Sequence, residues 1–529
     1  MITLAISLVA LALVYFYYYR IYKYWEQKGV RHDTPIPILG TNWQGYLVRK
    51  SIPQLTTDIY RRYPHEKVVG FYRGTFRELV IRDPDIIKQI LTEDFYYFYP
   101  RGLVMERYGI EPMFRNLFFA DGDLWRLLRQ RMTPAFTSGK LRAMFPLIVE
   151  RAERLQVRTL AAAAAGATLD ARELMARYTT DFIGACAFGL DEDSAFRQLG
   201  RNIFDTGPVF VTRAILKDLF PYLFKNVKLF GKVERDILSL LKQILELRNF
   251  EPSGRNDFID LLIECKKKGK LVGESIEKVK PDGTPEIVDV ELDDILMAAQ
   301  VFVFFAAGFE TSSSATSFTL HQLAYNPEVQ KKVQDEIDRV LAKYDNKLCY
   351  DAIKEMTYLT WTFKEGMRMF PSLGFLMRKC ARPYTFKDLN MSIDKDVNII
   401  IPLQALHNDP KYFDNPEEFR PERFDPEKLG QENKYVYLPF GVGPRACIGK
   451  FTLKFIIVLL VFAEFVASSE LMLCERLGLM QSLAGLAAVL SKFSVAPAPE
   501  TKRHPVINPA SNVVQSVKRG LPLLFKERK

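Results

Sequence analysis

The stretch Glu291 to Tyr325, ELDDILMAAQVFVFFAAGFETSSSATSFTLHQLAY, constrains the fold more than any other part of the chain. Its first half is almost wholly apolar, and at this length it reads as a helix with no polar face. Such a helix is buried either in a bilayer or in the middle of a large domain. Asp293, Asp294, Glu310, Thr311 and the serines that follow argue for the second, a core helix that faces something polar. A chain of 529 residues, 48% hydrophobic and 13% aromatic, has the apolar mass to surround it. Length alone suggests two to four domains, although large enzymes also fold as one.

The rest of the body fits a mainly α protein with small β-sheets, an α+β class. KVVGFYRGTFRELVIRD, Lys67–Asp83, reads as a short hairpin, after which the pattern turns mainly helical. The Ala-rich run TLAAAAAGATLDARELMARYTTDFIGACAFG holds helical stretches broken near Gly166. Glu251–Asp289, with its Pro, Gly and lysines at Lys266–Lys270, reads as a solvated loop between helices. KFSVAPAP and SNVVQSVKRGLPLLF have strand character with turn breakers, so a small sheet closes the chain. No internal repeat is visible.

At the N-terminus, Ile2–Tyr19 is an uncharged run of the length at which membrane helices begin, and tyrosines at its end suit the interface. Arg20, Lys23, Lys28 and Arg31 follow it. Positive charge after the helix and none before it predicts a signal anchor, residues 1–20, with the body on the cytoplasmic side. A cleaved signal peptide would need a basic start and a small-residue cleavage site, and neither is present. DTPIPILG, Asp33–Gly40, completes a basic and Pro-rich tether over 21–40. The remainder, 41–529, is read as one catalytic domain.

Charge and cysteine usage exclude several classes. The net charge of +10 is scattered among acids, with no nucleic-acid motif, so a basic face for an acidic protein or lipid headgroups is the better reading. Cys186, Cys265, Cys349, Cys380, Cys447 and Cys474 show no C-x-x-C pair, which suits reduced thiols facing the cytosol. His32, His65, His321, His407 and His504 have no metal spacing and read as structural or surface residues.

Chemistry concentrates around Cys447, in F-G-V-G-P-R-A-C-I-G, Phe440–Gly449. A metal-binding thiolate must be deprotonated and shielded, and a Gly-rich turn offers it backbone N–H groups at close range. An adjacent arginine, Arg445, can pair with an anionic ligand edge. A structural buried cysteine is the default for a lone Cys, but five fixed columns, Phe440, Gly443, Arg445, Cys447 and Gly449, match F-x-x-G-x-R-x-C-x-G. Here the chain resembles the cytochrome P-450 haem-thiolate monooxygenases. The resemblance implies haem b as cofactor, with Cys447 as the proximal iron ligand whose electron density favours O–O cleavage.

Three further motifs stand in the family's order. Glu365 and Arg368, at i and i+3 on one helix face in KEGMRMFP, with Arg423 in FRPERFDP, match its E-x-x-R network behind the haem, a structural role. An E-x-x-R pair by itself is usually solvated and worth little. Ala307–Thr311 matches A-G-x-[DE]-T. Gly308 there lets the backbone open, Glu310 feeds protons from solvent and Thr311 holds water or dioxygen by its hydroxyl. The bland alternative for that stretch is a polar helix face packing on its neighbours. Trp125 and Arg129 share a helix face as W-x-x-x-R, and the resemblance makes them partners of the haem propionates with Arg445 and Arg378.

No G-x-G-x-x-G or P-loop is present, so electrons are expected from a partner. For the microsomal type, the resemblance implies NADPH-cytochrome P-450 reductase docking beside the Cys447 loop, with cytochrome b5 as an optional partner, at the endoplasmic reticulum membrane. The motif set is most similar to the insect microsomal branch, implying O2, a small apolar substrate and xenobiotic or plant-toxin metabolism, with no nucleic acid. By the same resemblance, substrate contacts are expected in Arg101–Asp121, Gly207–Leu219, the start of the oxygen helix, Ser372–Leu376 and Gln515–Leu521. A rearrangement without oxygen insertion on the same fold is the rival chemistry.

One departure stands out. The family continues from its cysteine as C-x-G-x-R-[FL]-[AG], whereas Cys447-Ile448-Gly449 runs into Lys450, Phe451 and Thr452. The missing pattern appears later, at Glu475-Arg476-Leu477-Gly478. Removing Lys450–Cys474, twenty-five residues, restores CIGERLGLMQ and leaves 504 residues. The segment reads as an unspliced in-frame intron, a gene-model error or a true insertion. Its apolar run, Phe455–Phe462, is too short to span a bilayer. Present in the polypeptide, it separates the cysteine from the helix that should start there, and a haem-free product without catalysis becomes the second alternative.

Overall fold

The computed structural model describes residues 2–103, 110–136, 138–189, 199–200, 203, 207–255, 257–427, 434–448, 475–511 and 513–528. Gly449 and the segment 450–474 therefore lie outside the described residues. The helices of ten or more residues are α1 (Ile2–Tyr22), α2 (Ile52–Arg62), α3 (Gly122–Met132), α4 (Ser138–Ala164), α5 (Ala171–Ile183), α6 (Pro208–Leu219), α7 (Gly231–Leu247), α8 (Phe258–Lys267), α9 (Asp294–Tyr325), α10 (Pro327–Leu341), α11 (Thr357–Met369) and α12 (Glu475–Lys492). The strands are β1 (Val68–Arg73), β2 (Phe76–Ile81), β3 (Thr168–Asp170), β4 (Lys270–Val279), β5 (Pro285–Glu291), β6 (Leu376–Lys379), β7 (Tyr384–Phe386), β8 (Met391–Ile393), β9 (Asn398–Ile401), β10 (Phe493–Pro497) and β11 (Pro522–Glu527).

The long apolar stretch is the axis of the molecule. Asp293 caps α9 by accepting from the Leu296 amide at 2.5 Å, and the helix stops one residue short of Pro327, which opens α10. Helices α5, α7, α10, α11 and α12 surround it, so most of its apolar stretch is buried inside the domain, as a core helix requires. The Ile183 side chain of α5 packs so near that a Cβ on Gly308 would lie 2.3 Å from its Cδ1. Helix α12, Ala- and Leu-rich, is buried along Leu483–Leu490 in the same core.

A second core packs around the four-stranded sheet, ordered β1-β2-β9-β6, and takes in Trp25, Tyr72, Leu79 and Ile399. The hairpin expected from Lys67–Asp83 is its β1–β2 pair, with Val68 opposite Ile81. The chain closes as expected with a small sheet, β10-β11-β3, in which Thr168–Asp170 supplies the third strand after the break at Gly166. Helix α1 is present and leaves Leu4, Ile6, Val9 and Leu13 exposed.

One expectation fails. Glu251–Asp289 is not simply a solvated loop: it holds α8 and most of the β4–β5 hairpin, which extends to Glu291. The hairpin turns at Pro281-Asp282-Gly283, with Gly283 at φ +82°, a turn signal flanked by β-branched residues that the lysine cluster obscured. It docks on α3, where both carboxylate oxygens of Asp123 accept from Ser275 Oγ at 2.8 Å and Arg126 pairs with Glu274 at 2.9 Å.

Candidate active site

The Cys447 loop is a set of tight turns. The Cys447 amide donates to Phe440 O at 2.9 Å and the Ala446 amide to Gly443 O at 3.0 Å. Gly443 has φ +77°, and a Cβ there would lie 1.9 Å from Leu91 O, so only glycine lets the loop pass this close to its neighbour. Cys447 is exposed, whereas Cys186, Cys265 and Cys380 are buried. Burial pushes the Cys186 and Cys380 thiols up to about 12 and makes them inert. Among the five described cysteines, Cys447 is the exposed one, with Cys349 intermediate.

Arginines converge beside this loop. Arg129, on α3, donates to Ala446 O at 3.0 Å and Cys447 O at 3.4 Å. The Arg445 guanidinium lies 4.1 Å from the Trp125 ring and donates to Tyr99 O at 2.9 Å and Asp121 at 2.7 Å. Arg378, on β6, is fully buried, and its Nε has no hydrogen-bond partner among the described residues. Burial, with Arg101 and Arg445 adding, lowers the Arg378 guanidinium far below the usual arginine range. Burial also lowers Arg101 to about 10, against Asp121 and with Arg129 adding. A buried cation with an unmet donor and cationic neighbours is stable only when an anion joins it. The two carboxylates of haem b supply such an anion, so the residues present fit that cofactor. Arg101 and Asp121, at the ends of the expected substrate-contact stretch, join this cluster: Arg101 donates to Arg445 O at 3.2 Å, and its amide to Asp121 at 2.7 Å.

The oxygen helix opens where its motif lies. Ala307 is exposed midway along α9, between the buried stretches Leu296–Val303 and Ser312–Ala324, and Thr311 beside it is partly exposed. Thr311 Oγ1 donates to Ala307 O at 2.6 Å, and the Thr311 carbonyl accepts from Ser372 Oγ at 2.9 Å. Gly308 faces the Ile183 side chain of α5. Glu310 is buried and ion-paired with Arg172 of α5, a partner 138 residues away that no motif announces. Two expected substrate stretches meet at this point: the Gln515 amide donates to Ser372 O at 2.8 Å, and Ser314 Oγ to Gln515 O at 3.4 Å. Leu376, from the same segment as Ser372, lies against Gly441 of the Cys447 loop.

Behind the loop, Glu365 and Arg368 are both fully buried and joined by two hydrogen bonds, of 2.8 and 3.0 Å. Arg423 donates to Glu365 at 3.2 Å, and Arg368 to His407 O at 2.9 Å and Pro416 O at 2.7 Å. His407 Nε2 accepts from the Leu438 amide at 3.0 Å, which ties this network to the start of the Cys447 loop. Burial and the Arg368 charge depress His407 to about 3.

The unfolded chain therefore takes up a proton below about pH 6.5 that the folded chain refuses until about pH 3. Stability is complete above that window and falls as pH drops through it, by at most about 1.4 kcal/mol per pH unit from this group. His321, also depressed by burial, acts in the same direction. Urea midpoints of the protein and of His407→Gln between pH 5 and 8 check this: the variant should show the flatter profile, and equal slopes would refute the assignment.

A loop presenting one exposed cysteine, a cradle of arginines with an unmet donor and a central helix opened at an acid–alcohol pair together define a thiolate-ligated haem site. Comparison with known proteins agrees. A family model described as Cytochrome P450 matches residues 30–452. Cytochrome P450 6B6 of Helicoverpa armigera is 34% identical over 96% of this chain and 95% of its own length. Cytochrome P450 6a2 of Drosophila melanogaster is 34% identical over 98% of both chains, and cytochrome P450 6B1 of Papilio polyxenes is 36% identical over 84% of this chain and 89% of its own. The chain belongs to the cytochrome P450 family. It is a haem-thiolate monooxygenase with haem b as its cofactor.

Proposed function

We propose that this monooxygenase inserts one oxygen atom from O2 into small apolar compounds of the xenobiotic or plant-toxin class. Electrons come from NADPH-cytochrome P450 reductase, with cytochrome b5 as an optional partner. Helix α1 anchors the domain, with its basic tether, at the cytoplasmic side of the endoplasmic reticulum membrane. Haem b, when bound, supplies the redox chemistry of dioxygen.

This chain's own residues do the rest. Cys447 holds the iron as thiolate, and Arg129, Arg378 and Arg445, with Trp125, receive the propionates. Phe440 shapes the loop, and Glu365, Arg368 and Arg423 brace it from behind. Thr311 holds a proton at Oγ1 beside the opening at Ala307, and the Glu310 carboxylate, positioned by its ion pair with Arg172, is the proton-transfer group of the same helix. The observation that carries the reading is that opening: an exposed alanine and a partly exposed threonine midway along a helix whose flanking stretches, Leu296–Val303 and Ser312–Ala324, are buried. Phe302 and Phe305 of the same helix give its neighbourhood an apolar character suited to apolar substrates.

Replacing Thr311 with alanine tests the proposal. With reductase, NADPH and an apolar toxin, product should fall by about 10²-fold while NADPH consumption persists. Parallel loss of both, or turnover that needs no oxygen, would sink the assignment and favour a rearrangement.

A further inference from the structure

One fully buried ion pair takes no part in these steps. Lys217, at the end of α6, and Glu111, just before the Pro112–Phe114 turn, are each 1% exposed and lie 3.8 Å apart. Glu111 also accepts from the Leu229 and Phe230 amides, the latter at 3.4 Å, and Lys217 donates to Val227 O. One carboxylate thus clamps three places at once: its own segment, the end of α6 and the loop that follows α6.

The segment carrying Glu111 is itself fixed to the central helix. Gln300 of α9 accepts from the Leu117 amide at 2.9 Å and donates to Arg115 O at 3.1 Å, and Arg115 pairs with Asp293 at 3.2 Å. What Glu111 holds against α9 is therefore α6 and Phe230. The Phe230 ring contacts Phe114, Phe210 and Phe302, at centroid distances of 5.6, 5.3 and 6.0 Å, and so closes an aromatic lid over the front half of α9. Apolar packing alone would let these rings slide over one another. A buried ion pair is rarely more stable than an apolar contact of the same volume, but it admits only one arrangement.

We infer that Glu111 is a specificity-determining positioning residue, which sets how far the Phe230 lid and the loop after α6 can open over α9 and so the size of apolar substrate admitted. The inference rests on the proposed reading of α9 as the wall of the substrate site. Neighbouring Asp218 plays a different part, pairing with Arg73 at 2.7 Å and accepting from Tyr46 at 2.7 Å, which fixes the end of α6 to the first sheet. That contact holds the same end of α6 as Lys217, so what the Glu111 clamp adds is its hold on Phe230 and the loop after α6.

The test uses the full chain with Glu111→Gln, Lys217→Met and the double variant. Hydrogen exchange over 207–230 should rise roughly tenfold to a hundredfold in each single variant, with the double variant no faster than the worse single. Spectral titration should show Glu111→Gln gaining affinity for a multi-ring apolar ligand relative to a single-ring one by about tenfold. Unchanged exchange in both single variants overturns the clamp. Faster exchange with unchanged size selectivity overturns the specificity role. Because exchange is read without ligand, failure of the substrate-site reading would appear separately, as wild-type protein giving no spectral response to either ligand.

Discussion

A chain lacking Lys450–Cys474 is expected to incorporate haem b several-fold more completely than the full chain, read as the thiolate-type Soret band of the reduced, carbon-monoxide-bound protein. Both ends of the removed segment are attached to fixed structure. On one side, Arg129 and His407 pin the Cys447 loop. On the other, α12 begins at Glu475 and sinks directly into the main core, with Tyr178 donating to Gln481 O at 2.8 Å. The family match also stops at residue 452, just inside the segment. Joining two fixed points through about 26 residues instead of one or two carries a closure cost of about 3 kcal/mol. That cost falls on the step that brings the cysteine loop and α12 together, on which the haem seat depends. Equal haem content in the two proteins would show a true insertion that the fold tolerates, and would remove the retained-intron reading.

The second large effect lies at Glu365. Its carboxylate is fully buried and receives Arg368, Arg423 and the Arg420 amide. Glu365→Ala leaves Arg368 buried without its carboxylate, a loss of about 3–5 kcal/mol, comparable to a large part of a domain's stability. The variant should accumulate as haem-poor, aggregated protein, with a urea midpoint well below that of the parent. Glu365→Gln, which keeps the shape and one acceptor, should fall between them. If Glu365→Ala matched the parent in urea and in haem content, the network would be ornamental and the account of the Cys447 loop's support would be wrong.

Local spacing explains why some of these residues are legible in the chain and others are not. Glu365 and Arg368 sit three residues apart, so helix geometry alone places them on one face, and the motif's order before Cys447 points to their burial. Ala307, Glu310 and Thr311 are legible for the same reason. The β4–β5 hairpin escapes a reading of the sequence despite its Pro-Asp-Gly turn, because the lysines before it resemble a solvated linker. The meeting of Arg101 and Asp121 with Arg445 is not legible either, since more than 300 positions separate Arg445 from both.

The sequence by itself determined the central helix and the order of the short motifs, and the family those motifs resemble implied the cofactor. The motifs rest on short spacings, a few residues along a turn or a helix, which backbone geometry converts directly into position. Tertiary structure alone decided the partners: Arg172 for Glu310, Asp121 for Arg445 and Lys217 for Glu111. Each of these pairs joins residues more than a hundred positions apart. Such pairs form because helix packing and exclusion of water force two distant groups to share a buried space, and no periodicity in the chain records that meeting.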